Sequence, residues 1–377
     1  MHIAWLGKKT PVCGNVIYGR EITNALRDRG YCVSFIHFTE EVDETDTLEV
    51  PLPFLYKSTI YTLPSLRTTK VLVDALRSLK PDLVHASLAL SPLDFRLPEI
   101  CAELDLPLVA TFHSPFDPKR RNLTSSTQQL TYQIYAPSLA DYDQVIIFSE
   151  LQRNYLNKLG VPNSRLAVIP NGVDVDKYCP GASGIKAELD AKILFVYQGR
   201  LAPEKNIEVL LRAWHRAQMP EGCKLAIVGG GVLATGLKAL HSYDPSIIWL
   251  GFIAEEARRI EILRGADVFI LPSLVEGLSL SLLEAMACGT ACLATDVGAD
   301  GEVLDQGAGI VLDPRRVFSQ LVTLLPILAQ QPEWVEILKY KARQRVLERY
   351  TLDRNISRLE ALYHQVLEQS RHRLVIY

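Results

Sequence analysis

The segment DVFILPSLVEGLSLSLLEAMACG, residues 267–289, constrains the fold of this chain more than any other stretch. Its apolar run at 267–271 is bounded by a proline, which is typical of a buried strand. A loop with Glu276 and Gly277 follows, and residues 281–287 have helical character. A strand, a loop and a helix in this order build parallel α/β sheets. In such sheets ligands bind beyond the carboxyl ends of the strands, where a helix N-terminus attracts anions.

Glu276 in the loop and Glu284 in the helix put two carboxylates beside this expected anion site. Carboxylates bind sugar hydroxyls well through charge-assisted hydrogen bonds, so a polyhydroxylated anion is one interpretation. The other is a capping box, because Ser281 and Glu284 have the S-x-x-E spacing, which needs no ligand. On these residues alone the capping box is favoured.

Composition sets the broad class of the protein. The length of 377 residues favours two domains, and 48% hydrophobic with 22% charged residues is ordinary for a globular protein. A net charge of −3 does not favour nucleic-acid binding. Seven cysteines without C-x2-C spacing indicate reduced thiols. The N-terminal MHIAWLG is interpreted as a first strand, and no apolar run is long enough to span a membrane. A cytoplasmic protein that can also attach to a membrane surface is expected.

The first half of the chain alternates strand and helix patterns, which predicts a doubly wound parallel sheet. Strands are predicted near 2–6, 32–38, 82–86, 107–112 and 144–148, and helices near 17–29, 65–79, 123–140 and 150–159.

Two predicted strands of this half end in histidines, His85 and His113. Both side chains are therefore expected at the ligand edge of the sheet, although a lone histidine is more often a structural residue. Gly14 and Asn15 stand in the loop after the first strand. A plain βα turn and a ligand-binding loop explain these two residues about equally well.

The second half opens with a predicted strand at 193–198, a loop with Arg200 and Lys205, and a helix from about Glu204. Two cations beside a helix N-terminus form an anion site that needs no metal. Solvated loop cations are the alternative.

A glycine-rich segment at 229–234 fits the dinucleotide pattern G-x-G-x-x-A. The acidic residue that should end the next strand is missing, since that strand ends at 249–251 with Trp-Leu-Gly. A nicotinamide enzyme is therefore a minor alternative. The D-x-D sequence at 174–176 follows the turn PNG and leads a loop, so it is not interpreted as a metal site.

Two segments of the first half are basic and apolar or aromatic. Their cations are Lys57, Arg67, Lys70, Lys119, Arg120 and Arg121. Aromatic and aliphatic residues at 54–63 precede a predicted helix, in an expected loop. Such a surface is typical of a protein that lies on an anionic membrane. A solvated helix face is the alternative.

Three motifs keep one order along the chain: PNGVD, GRLxPEKxxxxLLxA and LPSxxEGxxLxLLEAMACGT. Together they resemble glycosyltransferase family 4, of the retaining GT-B type. The resemblance implies an α/β fold with two Rossmann-like domains facing a cleft. Residues 1–168 would form the acceptor domain, with the C-terminal helix 355–377 packing back on it, and residues 169–354 would bind a nucleotide-sugar.

The resemblance also implies roles for individual residues. Glu276 and His113 would contact the transferred sugar, and Arg200 and Lys205 would neutralise the diphosphate. These four are the expected catalytic residues. Glu284 would bind the ribose. The other expected donor-binding residues are Gly14, Asn15, Gly230, Phe252, Ile253, Gly277, Leu278 and Ser279. Leu278 and Ser279 depart from the family, which usually has an aromatic residue and then glycine there.

The activity implied is transfer of a hexose from a nucleotide-sugar, with the departing phosphate taking the acceptor's proton and with no metal or cofactor. Within the family, the start HIAWLGKKTPxCGNVxYGREITNALxxRG resembles cyanobacterial galactosyltransferases of the digalactosyldiacylglycerol synthase type. UDP-galactose and monogalactosyldiacylglycerol are thus the expected substrates. Another lipid or a soluble acceptor, a non-catalytic nucleotide-sugar-binding protein and a nicotinamide enzyme remain alternatives.

Overall fold

The computed structural model describes residues 1–10, 14–40, 48–58, 61–88, 90–115 and 123–375. Contacts between Cα atoms divide the chain into two compact units. The first comprises Met1–Ser114, Pro118–Asn171 and Arg354–Tyr377, and the second comprises Pro115–Asp117 and Gly172–Asp353.

The first unit contains a parallel sheet of seven strands with the order β3-β2-β1-β6-β7-β8-β9. Its strands are β1 (His2–Gly7), β2 (Cys32–Phe38), β3 (Glu49–Leu52), β4 (Phe54–Lys57), β5 (Thr62–Pro64), β6 (Leu83–Ser87), β7 (Leu108–Thr111), β8 (Gln144–Ile147) and β9 (Leu166–Val168). Its helices are α1 (Gly14–Asp28), α2 (Thr68–Leu79), α3 (Leu97–Glu103), α4 (Leu123–Leu139) and α5 (Glu150–Lys158). The central strands β6, β7 and β8 are buried along their whole length, as the apolar runs predict for strands covered on both faces.

The second unit contains a parallel sheet of six strands with the order β12-β11-β10-β13-β14-β15. Its strands are β10 (Ile193–Gln198), β11 (Cys223–Val228), β12 (Ile247–Gly251), β13 (Val268–Leu271), β14 (Ala291–Thr295) and β15 (Ile310–Leu312). Its helices are α6 (Ile185–Glu188), α7 (Ile207–Arg216), α8 (Ala234–His241), α9 (Glu256–Gly265), α10 (Leu280–Ala287), α11 (Asp300–Val303), α12 (Val317–Gln330) and α13 (Pro332–Arg349). The chain therefore has two Rossmann-like α/β domains, which confirms the predicted fold class.

The last helix, α14 (Leu352–Val375), begins in the second unit and has most of its length in the first. One stripe of this helix is buried, with Ile356, Leu359 and Tyr363 at 1%, 1% and 0% exposure. The Tyr363 hydroxyl lies 2.5 Å from Nδ1 of His85, at the centre of the first sheet. The helix is thus part of the core of the first unit.

Two predicted helix starts were wrong. Helix α10 begins at Leu280, one position before the predicted Ser281, and Ser279 is its N-cap because its side chain accepts from the backbone N–H of Leu282. The capping box of Ser281 and Glu284 is therefore not formed. Helix α7 begins at Ile207 and not near Glu204, because Asn206 has a left-handed φ of 56° that interrupts the chain after a short 3-10 turn.

The apolar segment before α2 is not a loop, as predicted, but an antiparallel hairpin. Strands β4 and β5 pair with each other and form a separate two-stranded sheet. Likewise, Gly14 and Asn15 do not lie in a βα turn but open helix α1. None of the described helices is long and apolar enough to cross a bilayer.

Candidate active site

A carboxylate and an ammonium group meet at the carboxyl edge of the second sheet. Glu276 lies in the loop after β13 and is only 9% exposed. Its Oε1 accepts hydrogen bonds from Lys205 Nζ at 2.5 Å and from Ser273 Oγ at 2.7 Å. The backbone N–H of Leu274 donates to the carbonyl of Glu204, so the two loops are also joined through their main chains. The pairing of β10 with β13 explains the proximity, because parallel neighbours end at the same edge.

The loop from Glu276 to Ser279 rests on a buried acid that sequence reasoning missed, Asp300. The Ser279 N–H donates to Asp300 Oδ1 at 2.9 Å, and the Ala299 N–H donates to the carbonyl of Gly277 at 2.8 Å. Asp300 is fully buried, and its Oδ2 has no hydrogen-bond partner in the described part of the chain. Burial, and then the charge of Glu276, raise the pKa of Asp300 well above its usual range, while the Ser279 N–H and Lys205 oppose them.

The two residues that depart from the family pattern have local roles here. Leu278 is 6% exposed and contributes to the core. Ser279 supplies both the backbone donor to Asp300 and the hydroxyl that caps α10. A glycine could keep the first contact but has no hydroxyl for the second.

Arg200 lies in the same region but is about half exposed. Its Nη2 contacts Glu204 Oε1 at 2.5 Å, and its carbonyl accepts from the Tyr197 hydroxyl at 2.9 Å. Its side chain is 48% exposed, compared with 17% for that of Lys205. Arg200 is therefore the more accessible of the two expected cations.

Glu284 is held in the first turns of α10 by a buried amide. Gln198, at the end of β10, donates from Nε2 to Glu284 Oε2 at 3.0 Å. The Oε1 atom of Gln198 is buried and lacks a hydrogen-bond partner among the described residues. This amide orients the carboxylate that the resemblance assigns to a ribose.

The glycine-rich loop after β11 is explained by close packing of main chains. Gly229 has φ of +140°, and a Cβ there would lie 1.8 Å from the Gly199 carbonyl oxygen. Gly231 has φ of +149°, and a Cβ there would lie 2.4 Å from the Leu201 carbonyl oxygen. The carbonyl of Gly230 accepts from the Leu201 N–H at 2.7 Å. These glycines therefore press their loop against the loop that carries Arg200.

The expected base-binding residues follow the next strand. Phe252 is 75% exposed, and its Cβ lies 3.5 Å from a Cβ built on Gly230. The carbonyl of Ile253 accepts from Arg259 Nη1 at 3.0 Å. An exposed aromatic ring beside a glycine loop is a surface on which a flat ring can stack.

In the first unit, Asn15, Ser87 and His113 form a hydrogen-bonded chain at the carboxyl edge of the sheet. Ser87 Oγ donates to Asn15 Oδ1 at 2.7 Å and lies 2.9 Å from His113 Nε2. Because the single hydroxyl proton is directed to Asn15, Nε2 of His113 must carry a hydrogen and Nδ1 must be the unprotonated nitrogen. Burial lowers the pKa of His113 to about 3, so the ring is neutral near pH 7. Sequence reasoning found Asn15 and His113 but not Ser87, which joins them.

His85 is a structural residue. It is fully buried, stacks on Trp5 with ring centroids 4.0 Å apart, and has Thr111 Oγ1 at 2.8 Å from Nε2 and Tyr363 on the other ring nitrogen. Burial lowers its pKa to about 3. The structural alternative for His85 therefore fits the contacts.

The basic residues of the first unit differ in accessibility. Lys57 Nζ donates to Thr10 Oγ1 at 2.8 Å and to the carbonyl of Phe38 at 2.9 Å, so it ties down the hairpin. Arg67 and Lys70 are exposed. Residues 119–121, with Lys119, Arg120 and Arg121, lie outside the described part of the chain.

The D-x-D sequence forms a local turn. Asp174 Oδ1 accepts from the backbone N–H groups of Asp176 and Lys177 at 3.1 and 3.0 Å. Within the described ranges, no group of three or more His, Cys, Asp or Glu side chains could hold a metal ion.

Two family descriptions match the two halves of the chain. The family "Glycosyltransferase Family 4" matches residues 14–177, and "Glycosyl transferases group 1" matches residues 192–326.

Curated relatives are similar at low identity. The UDP-Gal:alpha-D-GlcNAc-diphosphoundecaprenol alpha-1,3-galactosyltransferase of Escherichia coli is 26% identical over 58% of this chain, and the match spans 59% of that enzyme's length. A phosphatidylinositol N-acetylglucosaminyltransferase polypeptide of Arabidopsis thaliana is 26% identical over 86% of this chain and 70% of its own length.

Solved structures match over nearly the whole chain. The sucrose-phosphate synthase of Thermosynechococcus elongatus has a TM-score of 0.77 at 22% identity, covering 98% of this chain and 99% of that one. Anabaena HepE in complex with UDP has a TM-score of 0.78 at 18% identity, covering 97% and 100%. Together the matches to both halves and the shared fold identify this chain as a GT-B glycosyltransferase of the group 1 and family 4 type.

Proposed function

We propose that this protein transfers galactose from UDP-galactose to a hydroxyl of a membrane glycolipid, with retention of the anomeric configuration. The observation that carries the proposal is the cluster of Lys205, Glu276 and Ser273 at the loop before α10. It combines a cation for a phosphate with a carboxylate for sugar hydroxyls, on a rigid loop at the ligand edge of the second sheet.

The second unit would bind the donor. Lys205 and the more accessible Arg200 would neutralise the diphosphate, where negative charge develops as the anomeric C–O bond breaks. Glu276 would orient the hexose, and Glu284, held by Gln198, would accept hydrogen bonds from the ribose hydroxyls. The main chain at Phe252 and Ile253 would hold the base. HepE, which has this fold, was solved with UDP and with UDP-glucose, which supports a uridine nucleotide as donor.

The first unit would bind the acceptor and a sugar hydroxyl. His113 is neutral and offers Nδ1 as a hydrogen-bond acceptor, while Ser87 and Asn15 hold the ring. We assign no separate protein base. The acceptor oxygen would form the new bond on the face from which the phosphate departs, and its proton would pass to a phosphate oxygen.

Galactose and a lipid acceptor rest on two supports. The names of the E. coli and Arabidopsis relatives specify a UDP-Gal donor with a diphosphoundecaprenol acceptor and a phosphatidylinositol acceptor, respectively. The start of the chain resembles galactosyltransferases that act on monogalactosyldiacylglycerol. Relatives with soluble acceptors, such as D-inositol 3-phosphate glycosyltransferase, make the acceptor the part to test first.

The test is transfer to liposomes. Purified protein is incubated with labelled UDP-galactose and vesicles with or without monogalactosyldiacylglycerol, and the lipids are separated by chromatography. We expect a slower-migrating labelled lipid only when the acceptor lipid is present. NMR coupling constants of the new anomeric proton give the configuration. Donor hydrolysis without labelled lipid would contradict the acceptor and keep the donor, and failure to bind any uridine nucleotide would contradict the donor as well.

A further inference from the structure

The hairpin β4–β5 of the first unit exposes an unusual number of large apolar side chains. The exposed fractions are 68% for Leu55, 51% for Tyr56, 48% for Tyr61, 42% for Leu63 and 101% for Leu66. We call these five residues the hairpin face. Two strands of four and three residues cannot bury an apolar face by themselves. A cluster of exposed leucines and tyrosines on a folded unit marks an interaction surface.

The base of the hairpin is held firmly by the rest of the unit. Lys57 Nζ bonds to the Phe38 carbonyl and to Thr10, and its ammonium lies 5.0 Å from the Phe54 ring centroid. Thr68 Oγ1 donates to the Pro53 carbonyl at 2.5 Å. The hairpin face is therefore presented in one orientation, which lowers the entropy lost when a partner binds.

These anchors also fix where the face lies. Phe38 ends β2, and Thr10 comes shortly after the end of β1. The hairpin is thus attached at the carboxyl edge of the first sheet, the edge that also carries Asn15, Ser87 and His113. A partner bound to the hairpin face would approach this edge of the unit.

The composition of the face favours a lipid surface over a protein partner. The rings of Tyr56 and Tyr61 lie 5.5 Å apart across the two strands, and tyrosines are enriched at the level of lipid headgroups. The exposed cations Arg67 and Lys70 closely follow Leu66, at the start of α2. Apolar residues that insert beside cations that contact phosphate are the two signals that stable attachment to an anionic membrane requires.

We infer that the hairpin face inserts into the headgroup region of an anionic membrane, with Arg67 and Lys70 contacting lipid phosphates. This inference deepens the proposed function and rests on it, because it gives the surface by which the enzyme would reach a lipid acceptor. It assigns the docking to the hairpin and α2, and it assigns Lys57 to holding the hairpin in place.

The test is co-sedimentation of the full-length protein with vesicles that contain no acceptor lipid. Vesicles of phosphatidylcholine with phosphatidylglycerol are compared with vesicles of phosphatidylcholine alone. The double variant Leu55→Ser/Leu66→Ser removes two inserted side chains, and Arg67→Glu/Lys70→Glu reverses the two cations. The matched control is Leu240→Ser/Tyr340→Ser, which changes two residues of the second unit that are each 67% exposed.

We expect the wild-type protein and the control to bind the anionic vesicles. The apolar variant should lose at least about tenfold in its partition constant, since full burial of one leucine changes such a constant by about an order of magnitude. The charge variant should lose affinity for anionic vesicles and bind neutral vesicles as the wild type does. Hydrolysis of the soluble donor should be unchanged in the apolar variant, which shows that it is folded.

Three results would overturn the inference. The first is a wild-type protein that does not sediment with either vesicle. The second is an apolar variant that binds as tightly as the control. The third is light scattering that shows a wild-type dimer and a monomeric apolar variant, which would make a second copy of the chain the partner. Because no acceptor lipid is present, vesicle binding without galactose transfer would uphold the hairpin and contradict only the proposed acceptor.

Discussion

At the scale of single residues, Glu276 is constrained by three neighbours of different kinds. Lys205 supplies a positive charge, Ser273 a neutral hydroxyl, and Asp300 a buried carboxyl group behind the loop. The ion pair is partly shielded from solvent, since the side chains are 17% and 11% exposed. Removal of one partner therefore leaves a poorly solvated charge and also removes a group that we assign to the donor.

The first prediction concerns Lys205. Lys205→Ala should lower kcat for galactose transfer by about 10²–10³-fold, because a preorganised cation at a developing negative charge contributes on that scale. Steady-state kinetics with UDP-galactose measures this. The control is Lys238→Ala, an exposed lysine of α8 in the same unit. A folded Lys205 variant that kept most of its activity would show that the site is assigned wrongly.

The second prediction concerns Ser87. Ser87→Ala should lower kcat/KM by about tenfold, because His113 Nε2–H and Asn15 Oδ1 both lose their partner. Burial lowers the pKa of His113 to about 3, so the wild-type pH–rate profile should show no limb from this ring between about pH 5 and 8.

The matched control for Ser87 is Ser34→Ala. Ser34 is also a buried strand serine that contacts a histidine ring, that of His2 at 2.9 Å. It should change stability but not kcat/KM. Equal kinetic effects of the two substitutions would reduce Ser87 to a structural residue.

The third prediction is a dependence of stability on pH through Asp300. Its pKa is raised in the folded state, so the folded protein binds more protons than the unfolded one above the ordinary value of 3.8. This contribution to the free energy of unfolding is present at low pH and is lost as the pH rises. Asp300→Asn keeps an oxygen to accept from the Ser279 N–H and removes the titration.

Thermal unfolding at several pH values checks the sign. The melting temperature of the Asp300→Asn variant, relative to wild type, should increase steadily from about pH 4.5 to pH 8. A difference that does not change with pH would mean that Asp300 does not have a raised pKa.

At the scale of elements, loops and helix ends decide the geometry of the site. The loop that carries Arg200 and the glycine-rich loop after β11 contact each other through main chains at 199–201 and 229–231. Side chains are excluded from this contact, so the approach of the two loops depends on glycine. The motif G-x-G-x-x-A was found in the sequence, but its glycines serve loop packing in this structure.

The fourth prediction compares two glycines of this region. Gly229→Ala should lower the free energy of unfolding of the second unit by about 3 kcal/mol and abolish binding of UDP, since its Cβ would overlap the Gly199 carbonyl. Gly236→Ala, in α8 with open space around it, should raise stability by about 0.5–1 kcal/mol. Urea denaturation and calorimetric titration with UDP measure both effects. Similar stabilities for the two variants would contradict the close approach.

At the scale of the whole molecule, α14 connects the two ends of the sequence. It leaves the second unit at Asp353, and its buried stripe completes the first unit. The stripe of apolar residues was visible in the sequence as an amphipathic helix. The partner of its one fully buried tyrosine was not visible, because His85 lies 278 positions away.

The fifth prediction therefore concerns Tyr363. Tyr363→Phe keeps the ring and removes the hydroxyl, which leaves Nδ1 of a fully buried histidine without its partner. The free energy of unfolding should fall by about 1–3 kcal/mol. Tyr340→Phe, at a tyrosine that is 67% exposed, is the control and should change stability by less than about 0.5 kcal/mol. A neutral Tyr363 variant in urea denaturation would contradict this account.

The sequence by itself determined the features that depend on near neighbours. Apolar runs predicted most strands of the two sheets, and motifs predicted Arg200, Lys205, Glu276 and Glu284 as site residues. Helix starts were missed by a few positions, at Ile207 and Leu280, because a left-handed Asn206 and the cap by Ser279 are set by backbone angles that no periodicity shows.

Only the tertiary structure decided which of these residues meet. Lys205 and Glu276 are 71 positions apart, His113 and Ser87 are 26 apart, and Asp300 and Ser279 are 21 apart. Each pair is brought together by the order of strands in a sheet, as when β10 pairs with β13 across two intervening strands of sequence. Strand order follows from how the helices between strands pack, which is a property of the whole core and not of any local pattern.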